Sequence, residues 1–355
     1  MGVSFVTVGN FNIDNVVSSD GKLTLRNLGG NAVFSAIGAH IWSSSIGIVS
    51  VIPINYPELW LQELEQSGID LTGVSKASPA VDLEEWFFYQ ADGSRIDHLY
   101  APSELETLRQ FGVMGSGEML SPTQIEGLLD WVRKYPSERG ISLSQFRAQN
   151  PLRPEHIPDT YWPTLGCHIA PNSYSVQLKM ARAFKSRNVL VSLDPSTEIV
   201  LSFHSEKEKK KRIEELLENV DVFLPSQKEI KSLYPDKPYR EAIMSMVGMG
   251  PCVIGVKLGD KGSLIWSHQS KKIFHIPSYP VTSLSLTGAG DAYCGGFLVG
   301  MVESGDPLIA ACFGSVSASL LIERKDLRMA LRLNRYQANR RLEILQRMMK
   351  NKEEI

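Results

Sequence analysis

The sequence predicts an α/β fold: a mostly parallel sheet covered on both faces by helices. The first observation is a series of continuous apolar runs of strand length, namely Phe5–Gly9, Ile46–Val51, Leu165–Ala170, Val189–Asp194, Val220–Leu224 and Cys252–Val256. Strands buried on both faces read this way, whereas half-solvated strands alternate. The second is that segments of helical period separate these runs, as in a parallel sheet with crossover helices. The third is composition. A chain of 355 residues, 43% hydrophobic and 21% charged, supplies the core of one large domain or two smaller ones.

Each element has a local reason. Ser173–Arg187 begins with a Ser in capping position, and Asp306-Pro307 opens a helix through Leu320 because Asp caps and Pro fits the first turn. Ile213, Leu216, Leu217 and Val220 keep three- and four-residue spacing, while the alternating Lys and Glu of Glu206–Glu218 read as a solvated face. Leu83–Tyr100 reads as a hairpin turning at Asp92-Gly93, either at the sheet edge or as a lid over a site. Ser103–Asp159 is rich in Pro, Gly and polar residues and reads as a loop-rich connection holding one helix, Thr123–Lys134. Leu327, Leu331, Ala338, Leu342, Leu345 and Met349 are spaced for one amphipathic C-terminal helix, packing on its own core or on a second subunit.

The balance of charge excludes several functions. With 37 Lys+Arg against 39 Asp+Glu, the net charge of −2 is not that of a nucleic-acid binder or a polyacidic tail. Cys167, Cys252, Cys294 and Cys312 stand singly, without CxxC spacing, which argues against a zinc site or disulfide framework and for a reducing, cytoplasmic setting. The N-terminus has neither the basic nor the apolar region of a signal peptide, and no apolar run is long enough to span a bilayer. The seven histidines form no HxH or HxxxH cluster, and His168 lies in an apolar strand as a core residue.

The strongest local signal is Thr287-Gly288-Ala289-Gly290-Asp291-Ala292 leading into a small-residue helix. Glycines there let the backbone approach a ligand, and the first helical N–H groups point outward at the positive end of the helix dipole. That is an anion site. Asp291 in the first turn would take a proton from a hydroxyl while the amides of Gly288, Ala289 and Gly290 hold charge on a transferring phosphoryl group. An ordinary helix start with an acidic first turn reads the same way.

This stretch resembles the second signature of the ribokinase-like, or PfkB, family of carbohydrate kinases, and other family landmarks follow in order. Val8–Asp14 is similar to the first strand and the Asp that binds substrate hydroxyls. Leu28-Gly29-Gly30-Asn31-Ala32 resembles the Gly-Gly element, and Arg95 falls where the lid strands lie. Cys167–Asn172 and Ser192–Pro195 resemble the strand ends lining the cleft, and Val256–Gly262 the nucleotide-side strand and turn. The resemblance covers residues 3–322. It implies a three-layer ribokinase-like sandwich with a mostly parallel central sheet and a small β lid, with 323–355 as a helical extension.

Three positions depart from the family pattern. Its Asn-x-x-Glu element reads Ser226-Gln227-Lys228-Glu229, its first Asp of the second signature is Ser285, and Phe34 stands for an Asn after the Gly-Gly pair. The resemblance implies ATP and Mg²⁺ as cofactors and a small polyol, sugar-like or nucleoside substrate, with no nucleic acid or membrane partner. Asp14, Gly29, Gly30, Asn31 and Arg95 would bind the acceptor; Ser226, Lys257, Gly259 and Gly262 the nucleotide; Glu229 the metal through water. Asp14 reads equally as a turn former, Asn31 as a helix cap, and Lys257 as a strand-end cation. Two further expectations are a homodimer through the lid or C-terminal helix, and, as the alternative function, a weakly catalytic module docking a partner through that helix.

Overall fold

Nine strands form the central sheet in the order β13-β12-β11-β10-β9-β8-β1-β4-β5. These are β1 (Phe5–Val8), β4 (Ile46–Pro53), β5 (Ile69–Ala77), β8 (Gly166–Ile169), β9 (Leu190–Leu193), β10 (Val222–Phe223), β11 (Val253–Lys257), β12 (Ser263–Ser267) and β13 (Lys272–Ile276). Pairing is parallel from β5 to β11, with Phe5 opposite both Ile46 and Gly166, and only the β11-β12-β13 edge runs antiparallel. The structure, a computed structural model, describes residues 2–92, 94–99, 101–135, 142–197, 205–324 and 326–353. Gly93 and Tyr100, at the turn and end of the expected hairpin, lie outside them.

Alternate residues of each strand feed two cores, as the strand period of two demands. Phe5, Ile46 and Ile48 pack with the helices Asn31–His40, Ala289–Ser304 and Pro307–Ile322. Val6, Val8 and Val49 face the other way, toward Tyr174–Lys185, Glu206–Leu217 and Tyr239–Met246. This is the three-layer α/β sandwich. The Asp306 carboxylate accepts from the Leu308 amide as a cap, at 2.7 Å, but Ser173 makes no side-chain cap.

The lid is larger than a hairpin. A separate four-stranded sheet, β3-β2-β6-β7, joins β2 (Asn12–Val17) and β3 (Leu23–Gly29) to β6 (Glu84–Tyr89) and β7 (Arg95–Leu99). Asp14 therefore sits inside a lid strand, opposite Asn27 and Glu85, not at the end of β1. Behind this sheet, Trp86, Phe88 and Leu23 form a third core with Leu108, Leu128 and Val132.

Two other expectations need correction. Ser103–Asp159 is not mainly loop: besides Pro122–Lys134 it holds helices at Leu105–Leu108 and Leu143–Gln149 and two short 3₁₀ turns. Ser121 and Ser142 each close a capping box with a Gln three residues on, the local chemistry that turns polar sequence into helix starts. The C-terminal segment is two helices, Leu327–Ala330 and Arg335–Glu353, broken at Leu331–Asn334. Leu327, Ala330, Leu333, Ala338 and Leu345 are buried in the chain's own core, so much of the apolar side is covered within the protomer. Among the described residues no helix is long and apolar enough to cross a membrane.

Candidate active site

The C-terminal ends of the parallel strands converge on one cleft, where ligands bind in open α/β sheets. Asn10 follows β1, Asp194 follows β9, Ser226 follows β10, and Lys257 ends β11. Across it lies the start of the Ala289–Ser304 helix.

Gly288 caps that helix in the left-handed conformation, φ 76°, and a Cβ there would penetrate the Phe34 ring. Only glycine meets both demands. The Gly288 and Gly290 amides donate to no described residue, whereas the Ala289 amide bonds to the Leu286 carbonyl at 3.3 Å. The expected three-amide hole is thus reduced to two free N–H groups beside Asp291. Asp291 is half-buried, and its charge acts on both Asp14 and Asp194. Burial pushes its carboxyl up to about 6, opposed by Lys257 and Arg95 and reinforced by Glu229.

Beneath the anion turn, Lys257 and Asp194 form a buried ion pair. A Cβ on Gly290 would lie 3.6 Å from the Lys257 ammonium, so that charge stands directly behind the turn. Burial raises the Asp194 carboxyl against the pull of Lys257, and its Oδ1 has no hydrogen-bond partner. Asp194 received no role from the sequence; its signal was a carboxylate at a strand end ahead of Pro195. Ser226 caps the Gln227–Leu233 helix, and its amide donates to Glu229 Oε2 at 2.6 Å, closing a capping box. Ser226 also forms an isolated bridge with Lys257, which brings this element to the same strand end. Gly259, φ 64°, and Gly262, φ 82°, form the turn after Lys257.

On the acceptor side, Asp14 is 2% exposed and its Oδ1 lacks a partner. Burial, and then Glu85, drives its carboxyl well above the ordinary range, with Arg95 opposing. A Cβ on Gly29 would fall inside the Asp14 carboxyl group, so the glycine at the end of β3 makes room for it. Gly30, φ 108°, caps the next helix; Asn31 is its first residue, not its cap. The Asn31 side chain instead accepts from the Asn10 amide at 2.7 Å and donates to the Pro171 carbonyl at 2.8 Å. These bonds brace the strand ends beside the cleft. Arg95 is held by Asp97 at 2.8 Å and lies over the Phe87 ring at 4.5 Å, close enough to act on both Asp14 and Asp291.

A small cavity open to solvent lies beside these parts; Asp14, Phe34, Ser285, Thr287 and Arg324 line it. Sequence reasoning missed Arg324, Tyr89 and Arg147. The hydroxyls of Tyr89 and Thr287 share a hydrogen bond of 2.8 Å between lid and anion turn. Arg147, from the segment expected to be loop, bonds Asn12 and pairs with Glu85 at 3.3 Å. The acidic Glu84-Glu85 pair inside an aromatic strand was the available signal. His168 is buried against Ser192 at 3.1 Å and held down to about 3 by burial, as a core residue.

Residues 172–332 match the model of the pfkB family carbohydrate kinases. That segment is similar to the PfkB family. Cytidine kinase of Thermococcus kodakarensis is 25% identical over 308 residues, covering 86% of this chain and 91% of that protein. The nucleoside kinase of Methanocaldococcus jannaschii, described as an archaeal member of the ribokinase family, aligns with TM-score 0.66 at 18% identity, covering 97% of this chain and 99% of that one. A putative ribokinase II from E. coli, in complex with ATP and Mg²⁺, aligns with TM-score 0.67 at 17% identity over 96% and 99%. The chain therefore has the ribokinase fold, its small sheet in the place of the lid.

Proposed function

We propose that the protein transfers the γ-phosphoryl group of ATP to a hydroxyl of a sugar or nucleoside. The observation that carries the reading is Asp291, half-buried beside two unpartnered amides and near enough to act on the unpartnered Asp14 carboxyl group, which lines a cavity with Thr287 of the anion turn. The names of the relatives support the same chemistry.

Asp14 is placed to accept hydrogen bonds from an acceptor diol, since an ionised carboxylate offers only lone pairs. Its desolvated site makes an unpaired carboxylate costly, and substrate hydroxyls relieve that cost. Asp291 takes the proton of the attacking hydroxyl. A base with a pKa of about 6 is mostly ionised at neutral pH yet still basic enough to assist. The amides of Gly288 and Gly290 hold the transferring oxygens, with the Lys257 ammonium behind them as a fixed positive charge. Positioning and electrostatics carry phosphoryl transfer. The lid sheet covers the acceptor and excludes water, the competing nucleophile.

Asp194 and Glu229 would hold Mg²⁺, directly or through its waters, and the ion would supply positive charge to offset that of the phosphates. The residues fit it: the unpartnered Asp194 Oδ1, together with Glu229, offers oxygens for the ion or its waters. Among the described residues no cluster of three or more potential ligands is poised as a cage, which suits an ion that keeps most of its waters.

The test is ADP release by the purified chain with MgATP over sugars and nucleosides; absence of turnover with all acceptors overturns the proposal. Gly290→Val separates the anion turn from the fold. A side chain there meets only Lys257 at ordinary contact distance, so the melting temperature is expected to stay within a few degrees. ATP affinity should fall about 10-fold or more, because the methyls occupy the phosphate position. Unchanged affinity by calorimetry would remove the amides from the mechanism.

A further inference from the structure

The cavity wall opposite Asp14 comes from beyond the kinase segment that the sequence delimits at 322. Arg324 and Leu327 belong to the C-terminal extension, and both line the cavity with Phe34, Leu28 and Leu321. Arg324 is half-buried, yet its guanidinium donates no hydrogen bond to any described residue. Its one anionic neighbour, Glu323, stands off at 3.8 Å and is engaged by Arg341, which also donates to Ser319 at 2.9 Å. The C-terminal helix thus neutralises the carboxylate that would otherwise occupy Arg324.

Resting on the kinase reading above, we infer that this wall is a base-recognition site, and that Arg324 selects a nucleoside whose base edge carries two adjacent hydrogen-bond acceptors, as cytosine does. A free sugar carries hydroxyls on every side and would leave several of them unpaired against Leu28, Phe34, Leu321 and Leu327. A nucleoside has its diol at one end and a flat, weakly polar ring at the other, which matches a lining that combines Asp14, Asn27, Ser285 and Thr287 with Leu28, Phe34, Leu321 and Leu327. The guanidinium is a planar fork of donors with no acceptor. Cytosine offers O2 and N3 side by side, next to the glycosidic bond. Uracil places an N–H between its two carbonyls, and adenine alternates donor and acceptor, so each turns a donor toward the fork.

The experiment measures kcat/KM with MgATP for cytidine, uridine, adenosine, guanosine, ribose and gluconate, in the full chain and in Arg324→Met and Arg324→Lys. Cytidine is expected to lead uridine by about 10- to 100-fold, the discrimination of one good bidentate pair. Arg324→Met should bring cytidine down to the uridine level through KM, leaving kcat and the uridine constants within about threefold. Arg324→Lys should restore little, since an ammonium has no fork. If ribose or gluconate leads, or if the cytidine preference survives Arg324→Met in protein with an unchanged melting curve, the base site is wrong while phosphoryl transfer stands; guanosine, whose O6 and N7 are also adjacent acceptors, is expected to share the preference. Arg324-dependent cytidine binding by calorimetry without ADP release leaves the base site and overturns the kinase reading. Neither binding nor turnover overturns both.

Discussion

Asp291→Asn is expected to reduce kcat by about 10²–10⁴, the usual contribution of a positioned base, while ATP affinity measured by calorimetry stays near that of the unmodified protein. The substitution preserves shape and leaves the Gly288 and Gly290 amides where they are, so nucleotide recognition should survive it. The pH profile gives a second readout. The base works when ionised, and burial raises its pKa from the ordinary range to about 6. Acceptor turnover, kcat/KM, should therefore fall tenfold per pH unit below about 6 and level off above it. In Asp291→Asn that acid limb should vanish. An unchanged rate, or an acid limb that persists at the same pH, would falsify the role of Asp291 as base.

Asp14→Asn is expected to separate binding from stability. A buried carboxylate with an unpartnered oxygen favours function at the expense of the fold. Its folded pKa lies well above the ordinary value because burial disfavours the charged form. Between the unfolded and folded pKa values the native state holds more protons than the unfolded chain. Stability from this group is therefore greatest at low pH and declines as pH rises above about 4. The Asn variant should accordingly melt a few degrees higher than the unmodified protein at pH 7, with the gap narrowing toward pH 4. Its acceptor KM should rise about 100-fold or more, because an amide cannot accept from two hydroxyls as a carboxylate does. A lower melting temperature at pH 7, or an unaltered KM, would show that the carboxylate is structural.

The central sheet was legible because doubly buried strands leave unbroken apolar runs, and six such runs became strands of one sheet. The anion turn was legible because Gly-Ala-Gly-Asp concentrates backbone freedom and charge in four consecutive residues. The lid was read only in half. β2 and β3 follow Asn10 and precede Gly30 so closely that they merged with the first strand and the Gly-Gly element, and β6, which pairs with β2, lies about seventy residues away from it in sequence. Pairing over such separations is a tertiary fact that local pattern does not record. Asn31 was misplaced for a related reason: its two hydrogen bonds run to Asn10 and Pro171, neither of which its own segment specifies. Arg324 and Arg147 were invisible because each sits in a polar stretch where one arginine looks like any other. Only the fold brings them to a cleft.

The bond between Tyr89 and Thr287 has a kinetic corollary. It ties a strand of the small sheet to the residue immediately before the glycine turn, so any closing of that sheet and any tightening of that turn would be one event. Unloading the product then requires both to let go together. Departure of the phosphorylated acceptor, more than the chemical step, is where such a clasp would set the pace of the cycle.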